Sequence, residues 1–163
     1  MKKLLILFAI SFVFVGGTIA QNTLNNKADN ILGTYQGRQG DDLFKTSITK
    51  QSDGNYKCQM IWLEHDRDAN GNKFLDEKNP DKSLRSVPCD QVVLFTDLKY
   101  NAKEKRWDGT KIYDPQRGIR AKLHAEFTKE GQLKLRGSVM GIGESVYWEK
   151  SSKFLKNSQL WKT

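Results

Sequence analysis

The chain has 163 residues, a length that suits one domain with a substantial hydrophobic core. Its 27 lysines and arginines outnumber its 19 aspartates and glutamates, which gives a formal charge of +8. The basic residues are scattered, so the sequence lacks the basic cluster of a nucleic-acid-binding arm, and we predict no nucleic-acid partner. A solvated basic surface, weakly attracted to anionic envelope lipids or polysaccharide, fits this distribution.

The N-terminal segment has the features of a secretory signal peptide. Two lysines precede an apolar run over residues 4–15, which is too short for a typical membrane-spanning helix. The small residues Thr18 and Ala20 follow at a suitable cleavage position. We predict a signal peptide over residues 1–20 and an exported mature chain, periplasmic or extracellular, without a transmembrane segment. A retained membrane anchor is the alternative.

Polar and apolar residues then alternate with a period of two, which is typical of half-buried antiparallel strands. In residues 132–139, for example, Leu133, Leu135 and Val139 share one face. Turn signals such as Asp53-Gly54 separate these segments. The predicted strands lie near residues 31–38, 43–51, 55–63, 91–99, 105–114, 119–128, 132–139 and 144–150.

Short connections and the absence of a helical pattern predict an all-β fold. We prefer an eight-stranded antiparallel up-and-down barrel, because closure removes exposed sheet edges. A two-sheet sandwich is the alternative. One connection, near residues 64–90, is long, and such loops are usually functional or disordered. The predicted divisions of the mature chain are a flexible N-terminus over residues 21–30, the barrel over 31–150 and a tail over 151–163.

Part of the long loop, residues 66–77, matches the calcium loop of an EF-hand. An EF-hand needs a helix on each side, yet here a strand precedes the loop and a proline-containing segment follows it. Lys73 also replaces the usual apolar residue at the eighth position. We therefore predict a surface loop rich in Asx turns and no metal site. The motif positions are filled by Asp66, Asp68, Asn70, Gly71 and Glu77.

No group of residues has the spacing of a catalytic or cofactor site. His65 and His124 lack zinc-site spacing, and the adjacent pair Asp41 and Asp42 lies in a turn, where adjacency does not place two carboxylates across a substrate. The sequence therefore predicts no cofactor and favours a protein that is not an enzyme. A hydrolase or isomerase with an unrecognised site is one alternative.

The mature chain contains two cysteines, Cys58 and Cys89. In an exported protein a disulfide is the default expectation. This bond would anchor both ends of the long loop to the barrel. Two buried thiols are the alternative.

Aromatic residues in the predicted strands suggest a ligand site. An eight-stranded barrel is either packed or holds one small ligand, and aromatic-lined pockets often bind ligands. Trp62 is our first choice, since it shares a predicted face with Met60 close to the long loop. The opposite assignment places Ile61 and Leu63 inward. The candidate ligand-binding residues are Tyr35, Met60, Trp62, Tyr113 and Trp148.

Four segments of the chain resemble a known bacterial family. They are "GTY" (33–35), "IWLEHDRDANGNKFLDEKNPDKSLRSVPC" (61–89), "WDGTKIYDP" (107–115) and "GQLKLRGSVMGIGESVYWEK" (131–150). Together they are similar to the uncharacterised family called domain of unknown function 2147, over roughly residues 28–150. The resemblance implies an exported, lipocalin-like small barrel without an established activity.

The first of these segments also resembles the Gly-x-Trp motif of lipocalin first strands, with Tyr35 in place of the tryptophan. Lys150 stands where barrels of this kind often place a basic residue over that aromatic ring. The resemblance therefore implies a cation–aromatic pair that closes one end of the barrel.

The expected function is that of an exported, non-enzymatic barrel that binds an apolar or amphiphilic small molecule. An envelope structural or interaction module with a packed barrel is the alternative from another class. The volume inside the barrel distinguishes the two, because a ligand needs a void and an interaction module does not.

Overall fold

The computed structural model describes residues 23–151. The predicted signal peptide and nearly all of the predicted C-terminal tail lie outside these residues. The described part contains nine strands and four short 3-10 helices. The strands are β1 (Gly33–Gln39), β2 (Asp42–Lys50), β3 (Tyr56–Leu63), β4 (Val93–Asn101), β5 (Arg106–Asp108), β6 (Lys111–Asp114), β7 (Ile119–Phe127), β8 (Leu133–Val139) and β9 (Ile142–Lys150).

The strands form a closed antiparallel barrel. Consecutive strands from β1 to β5 pair with one another, β9 pairs with β1, and β7, β8 and β9 continue the sheet. The register Trp107↔Ala125 joins β5 to β7 and closes the circle. The predicted eight-stranded antiparallel barrel is therefore confirmed, with β6 as an additional short strand beside β7.

This additional strand arises because the predicted fifth strand, near residues 105–114, is interrupted. Gly109 has a φ of 89°, a left-handed conformation that breaks the extended chain. Before the break, β5 bridges β4 and β7. After it, β6 pairs with β7 alone.

The two ends of the barrel are built differently. One end, which we call the closed end, contains the turns at 51–55, 102–105 and 128–132. The other, the open end, contains the turns at 40–41, 115–118 and 140–141 and the long loop. The half next to the closed end is packed with large buried side chains. This closed half contains Tyr35, Ile48, Tyr56, Cys58, Phe95, Leu98, Trp107, Leu123, Ala125, Phe127 and Leu133.

Two 3-10 helices, Thr23–Asn26 and Ala28–Ile31, cover the closed end. The Trp107 indole donates to the Ala28 carbonyl at 3.0 Å, and the Asn25 side chain donates to the Phe127 carbonyl at 2.9 Å. The segment over residues 21–30 was predicted to be flexible. Its described part, from residue 23 onward, forms these helices, and their polar groups pair with the ends of the strands.

The cation–aromatic pair implied by the family resemblance is present. The Lys150 ammonium lies 5.8 Å from the centroid of the Tyr35 ring and donates to the Asn30 carbonyl at 3.0 Å. A Cβ at position 33 would stand 2.8 Å from the Lys150 side chain, so Gly33 leaves the space that this contact needs. The pair links both terminal strands to the helices at the closed end.

The inward orientation predicted for Trp62 is wrong. Met60 pairs with Thr46 and Trp62 pairs with Lys45, which leaves Ile61 as the extra residue of a β-bulge. The bulge shifts the alternation by one residue, so Met60 faces inward and Trp62 faces outward. Trp62 is 38% exposed, with the Lys45 ammonium 4.8 Å above its ring.

The predicted disulfide is absent, and both cysteines are free thiols. Cys58 is buried in the barrel interior beside the Thr46 hydroxyl, and burial raises the pKa of its thiol to about 12. Cys89 lies in a 3-10 helix, Cys89–Gln91, with the carboxylates of Asp76 and Asp90 near its thiol. The two thiols therefore occupy different environments, one in the core and one in the long loop.

The long loop, residues 64–92, is ordered by pairing within itself and with the barrel. The bridges Arg67↔Lys73 and Leu75↔Pro88 fold it back on itself, and the Lys78 ammonium donates to the Gln116 carbonyl at 2.7 Å. A short 3-10 helix, Lys82–Leu84, lies within it. Among residues 23–151, no helix is long and apolar enough to cross a membrane.

Candidate functional site

The open half of the barrel contains a cavity of about 360 Å³. The part nearer the closed half is lined by apolar and aromatic side chains, while the mouth, at the open end, is bordered by charged and polar side chains. The apolar residues are Phe44, Met60, Leu94, Ile112, Leu135 and Trp148, and the polar residues at the mouth are Arg38, Gln39, Asp114, Arg117 and Glu144.

An aromatic pair forms the floor of this cavity. The rings of Phe44 and Trp148 meet edge to face, with centroids 5.8 Å apart. A Cβ at position 37 would lie 2.5 Å from Phe44 and 2.7 Å from Trp148, so only glycine admits this pair. Below the floor, Tyr35 lies 6.5 Å from Trp148, and its hydroxyl donates to the Ile31 carbonyl. The floor thus separates the cavity from the packed closed half.

Small residues in the wall create the void above the floor. Ala121 and Gly137 both line it, and a Cβ at position 137 would stand 3.2 Å from the Ala121 Cβ. The strands continue without interruption from the closed half, so the void results from the side chains and not from a gap in the sheet. The choice of small residues therefore determines the cavity.

The mouth carries charges of both signs. The Arg117 guanidinium lies 3.0 Å from Glu144 and 3.7 Å from Asp114. Arg38 donates to the Asp41 carbonyl at 2.8 Å and forms no ion pair with any described residue. Because a guanidinium can hold a carboxylate by two parallel hydrogen bonds, Arg38 is the mouth residue with capacity for an anionic group.

The long loop is fastened beside the cavity by a buried carboxylate. Asp76 accepts hydrogen bonds from the Tyr113 hydroxyl at 2.7 Å and the Asn79 side chain at 2.7 Å. Burial and this hydrogen bond raise the pKa of Tyr113 above its ordinary range. The Arg120 guanidinium lies 5.1 Å from the Tyr113 ring centroid. Since Tyr113 borders the cavity, this contact joins the loop to the wall of the site.

The segment that matches an EF-hand forms Asx-type hydrogen bonds within the loop. Asp68 accepts from the Asn72 amide at 2.9 Å, and hydrogen bonds from Asn72 hold the pKa of this carboxyl below its usual value. The Lys73 ammonium contacts both Asp66 and Asp90. An ammonium group therefore lies between these two carboxylates.

A second set of ligand-type groups consists of Asp42, Glu64 and His65, whose ligand atoms lie within 4.8 Å of one another. His65 contacts Asp42 at 2.7 Å, and Glu64 accepts from the Leu43 amide at 2.9 Å. All three side chains are exposed at the open end. The two carboxylates are already hydrogen-bonded within the protein.

The structure separates the five predicted ligand-binding residues. Met60, Tyr113 and Trp148 border the cavity, Tyr35 lies beneath its floor, and Trp62 lies on the outer wall. The sequence interpretation missed the mouth residues, because they are polar side chains near strand ends and in one turn, and alternation does not distinguish these from ordinary surface residues. Gly37 was a usable signal, since an interior strand glycine often marks a close approach of side chains.

Comparison with known proteins agrees with this fold. Residues 33–150 match the family described as "Uncharacterized protein conserved in bacteria (DUF2147)". The chain belongs to this family. The resemblance predicted from the sequence is therefore confirmed.

A solved structure similar to this chain comes from the human pathogen Helicobacter pylori and is described as belonging to the lipocalin family. It has a TM-score of 0.60 and 21% sequence identity, covering 79% of this chain and 87% of that chain. This likeness supports the lipocalin-like fold. No curated protein matches the chain in sequence.

Proposed function

We propose that this protein is an exported, non-enzymatic barrel that binds one amphiphilic small molecule. The apolar part of the ligand would lie on the Phe44–Trp148 floor and its polar head at the mouth. The observation that carries this proposal is the cavity of about 360 Å³ with an aromatic floor and a charged mouth. Ligand pockets typically have volumes of ~300–1,000 Å³ and are mostly apolar with a few polar groups.

The apolar lining supplies the driving force for binding. Removal of apolar surface from water contributes ~25 cal/mol per Å², so a ligand that buries ~200 Å² gains ~5 kcal/mol before the costs of association. The mouth supplies orientation. Arg38 has no carboxylate partner among the described residues, so we infer that the preferred head group is a carboxylate.

The fold and the N-terminal sequence support the proposal independently of the cavity. A lipocalin-like barrel is compatible with small-molecule binding. The apolar run over residues 4–15 and the small residues before Gln21 support export. The N-terminus of the purified exported protein should begin at Gln21, and a chain that retains Met1 would contradict the export proposal.

The packed-barrel alternative, an envelope interaction module, predicts a filled interior. Only the closed half is packed in this way. The small wall residues Ala121 and Gly137 leave the open half unfilled. This void favours ligand binding over the interaction module.

The experiment is a titration with an environment-sensitive fatty-acid probe. Ala121→Phe would fill the cavity and should weaken probe binding by about tenfold or more, equivalent to ~1.4 kcal/mol. Trp62→Ala changes an aromatic residue on the outer wall and should leave the affinity within about twofold. Binding that survives Ala121→Phe, or no binding at any chain length by a folded protein, would refute the proposal.

A second pair of measurements tests the head group. Arg38→Gln should weaken binding of a fatty-acid probe more than binding of the corresponding fatty alcohol. Native mass spectrometry of protein purified from its own host should show a co-purified carboxylic acid. An equal loss for acid and alcohol would exclude Arg38 as the head-group contact.

A further inference from the structure

The β8–β9 hairpin at the open end has an apolar tip that the barrel does not cover. Met140 is 99% exposed, Ile142 83% and Val139 48%. Val139 pairs with Ile142, so Met140 and Gly141 form a two-residue turn. Their φ values of 50° and 86° place both in the left-handed region, as in a type I′ turn.

This turn breaks the residue preferences of its type. A type I′ turn favours Asn-Gly or Asp-Gly, because asparagine and aspartate tolerate the left-handed conformation and water. The turns at 40–41, 51–55 and 128–132 place only glycine in the left-handed region, and the turn at 102–105 places the polar residue Lys105 there. Met140 has a strained backbone and full solvent exposure without a compensating contact in the fold. A local rule broken in this way indicates a function.

The outer wall beside the hairpin is strongly basic. Lys111 faces Lys122 across β6 and β7, and Arg136 lies on the adjacent strand β8. Like charges directly opposite one another destabilise a sheet. Lys111, Lys122 and Arg136 form no ion pair with a described residue. The acidic residues Glu126 and Asp108 on this wall are paired with Lys134 and Arg106, and Glu149 lies farther along β9, near the closed end.

We propose that the β8–β9 hairpin docks the barrel on an anionic lipid bilayer. Val139, Met140 and Ile142 enter the headgroup region, while Lys122 and Arg136 face the lipid phosphates. An apolar edge combined with a basic face is the composition of interfacial membrane elements. A soluble polyanion would use the basic wall alone, and a second copy of the chain would use the tip alone. A bilayer is the partner that uses both.

Two further observations agree with this surface. Tyr147 is exposed on the outer face opposite Lys134, and tyrosine is enriched at membrane–water interfaces. Val139 and Ile142 also line the mouth of the cavity. Docking through the tip would therefore place the mouth against the bilayer surface. The inference does not depend on what the cavity binds.

The test is flotation of the exported protein with vesicles of phosphatidylglycerol and phosphatidylcholine, against vesicles of phosphatidylcholine alone. Met140→Asn restores the preferred Asn-Gly turn, so the melting temperature should stay the same or rise. It should lower the affinity for the mixed vesicles by roughly tenfold. Ile61→Asn removes an exposed apolar residue from the β3 bulge and should change the affinity by less than about twofold.

A second variant tests the role of charge. It combines Lys122→Glu with Arg136→Glu, which should abolish the preference for anionic vesicles. All variants share the same terminal segments, so differences between them report on the hairpin. A wild-type protein that does not float, or a Met140→Asn variant that floats equally well, would overturn the proposal. So would wild-type dimers in sedimentation that Met140→Asn converts to monomers without any flotation, or heparin binding unaccompanied by flotation.

Discussion

The closed and open halves of this barrel are built from the same strands and differ in what those strands carry. Ala125 and Ala121 show the contrast, since both lie on β7 and face inward. Ala125 is fully buried and pairs in register with Trp107, whereas Ala121 borders the cavity. One alanine makes room for a large neighbour and the other leaves a void.

Along the axis of the barrel, the side chains that stabilise the fold thus lie mainly in the closed half, and those of the candidate site lie in the open half. The closed half buries Trp107, Tyr35 and Tyr56 and is covered by the N-terminal helices. The open half sacrifices packing, because the void forfeits the dispersion contacts that larger side chains would make. We expect a protein to retain this loss of packing energy where the cavity binds a ligand. The halves should therefore respond differently to the same kinds of substitution.

The largest expected effect is on the closed half. Trp107 packs against Tyr100 and Phe127, with ring centroids at 5.2 and 5.7 Å, and its indole is hydrogen-bonded. Trp107→Ala should lower the free energy of unfolding by ~3–5 kcal/mol. Val146→Ala, at the exposed mouth, should cost less than ~1 kcal/mol. Guanidinium unfolding measures both, and equal costs would remove the distinction between the halves.

The alanine pair gives the sharpest comparison. Ala125→Phe would overpack the closed half and should destabilise it by ~1–3 kcal/mol or more. Ala121→Phe has the cavity to occupy, so its melting temperature should remain near that of the wild type while probe binding is lost. Thermal unfolding and probe titration of both variants are the measurements. A large destabilisation by Ala121→Phe would show that the void is not available to a ring.

Releasing the long loop from the barrel should destabilise the fold as much as Ala125→Phe or less. Tyr113→Phe removes the hydroxyl that donates to the buried Asp76 carboxylate, and a buried acceptor left without this donor costs ~1–3 kcal/mol. Amide hydrogen exchange should rise in residues 64–92 and stay unchanged in the closed half. Tyr147→Phe, which alters an exposed hydroxyl, is the control. Uniform exchange through the barrel would contradict a local role.

The smallest expected effect is the loss, at acid pH, of the stability that Asp29 contributes at the closed end. Hydrogen bonds from Lys50 at 2.9 Å and Tyr56 at 2.6 Å hold the pKa of Asp29 below its usual value. The folded state thus favours the ionised carboxylate. Its contribution is complete above the unfolded pKa of about 4 and disappears as pH falls through the lower folded value.

Asp29→Asn should therefore melt at a lower temperature than the wild type near pH 6, and the difference should shrink below about pH 4. Melting curves between these pH values measure it. A difference that is constant with pH would show that the effect does not come from the ionised carboxylate.

Alternation in the sequence predicted most of the strands, because a residue's position along a strand determines which face it occupies. Residues 132–139 lie within one strand and its edge as expected, and Leu133 and Leu135 are buried. The candidate site was less accessible to this reasoning. Met60, Tyr113 and Trp148 border the cavity as strand residues, while Arg38, Arg117 and Glu144 come together at its mouth from β1, the turn at 115–118 and β9.

The sequence by itself determined the all-β class and the approximate strands, since both rest on local periodicity. It favoured a barrel over a two-sheet sandwich, and the family resemblance implied the Tyr35–Lys150 pair. Tertiary structure decided the rest. The bulge at Ile61 depends on the register between β2 and β3, and the Asp76–Tyr113 bond joins residues far apart in the chain. The free cysteines and the void depend on how side chains from different strands share space, which no local pattern encodes.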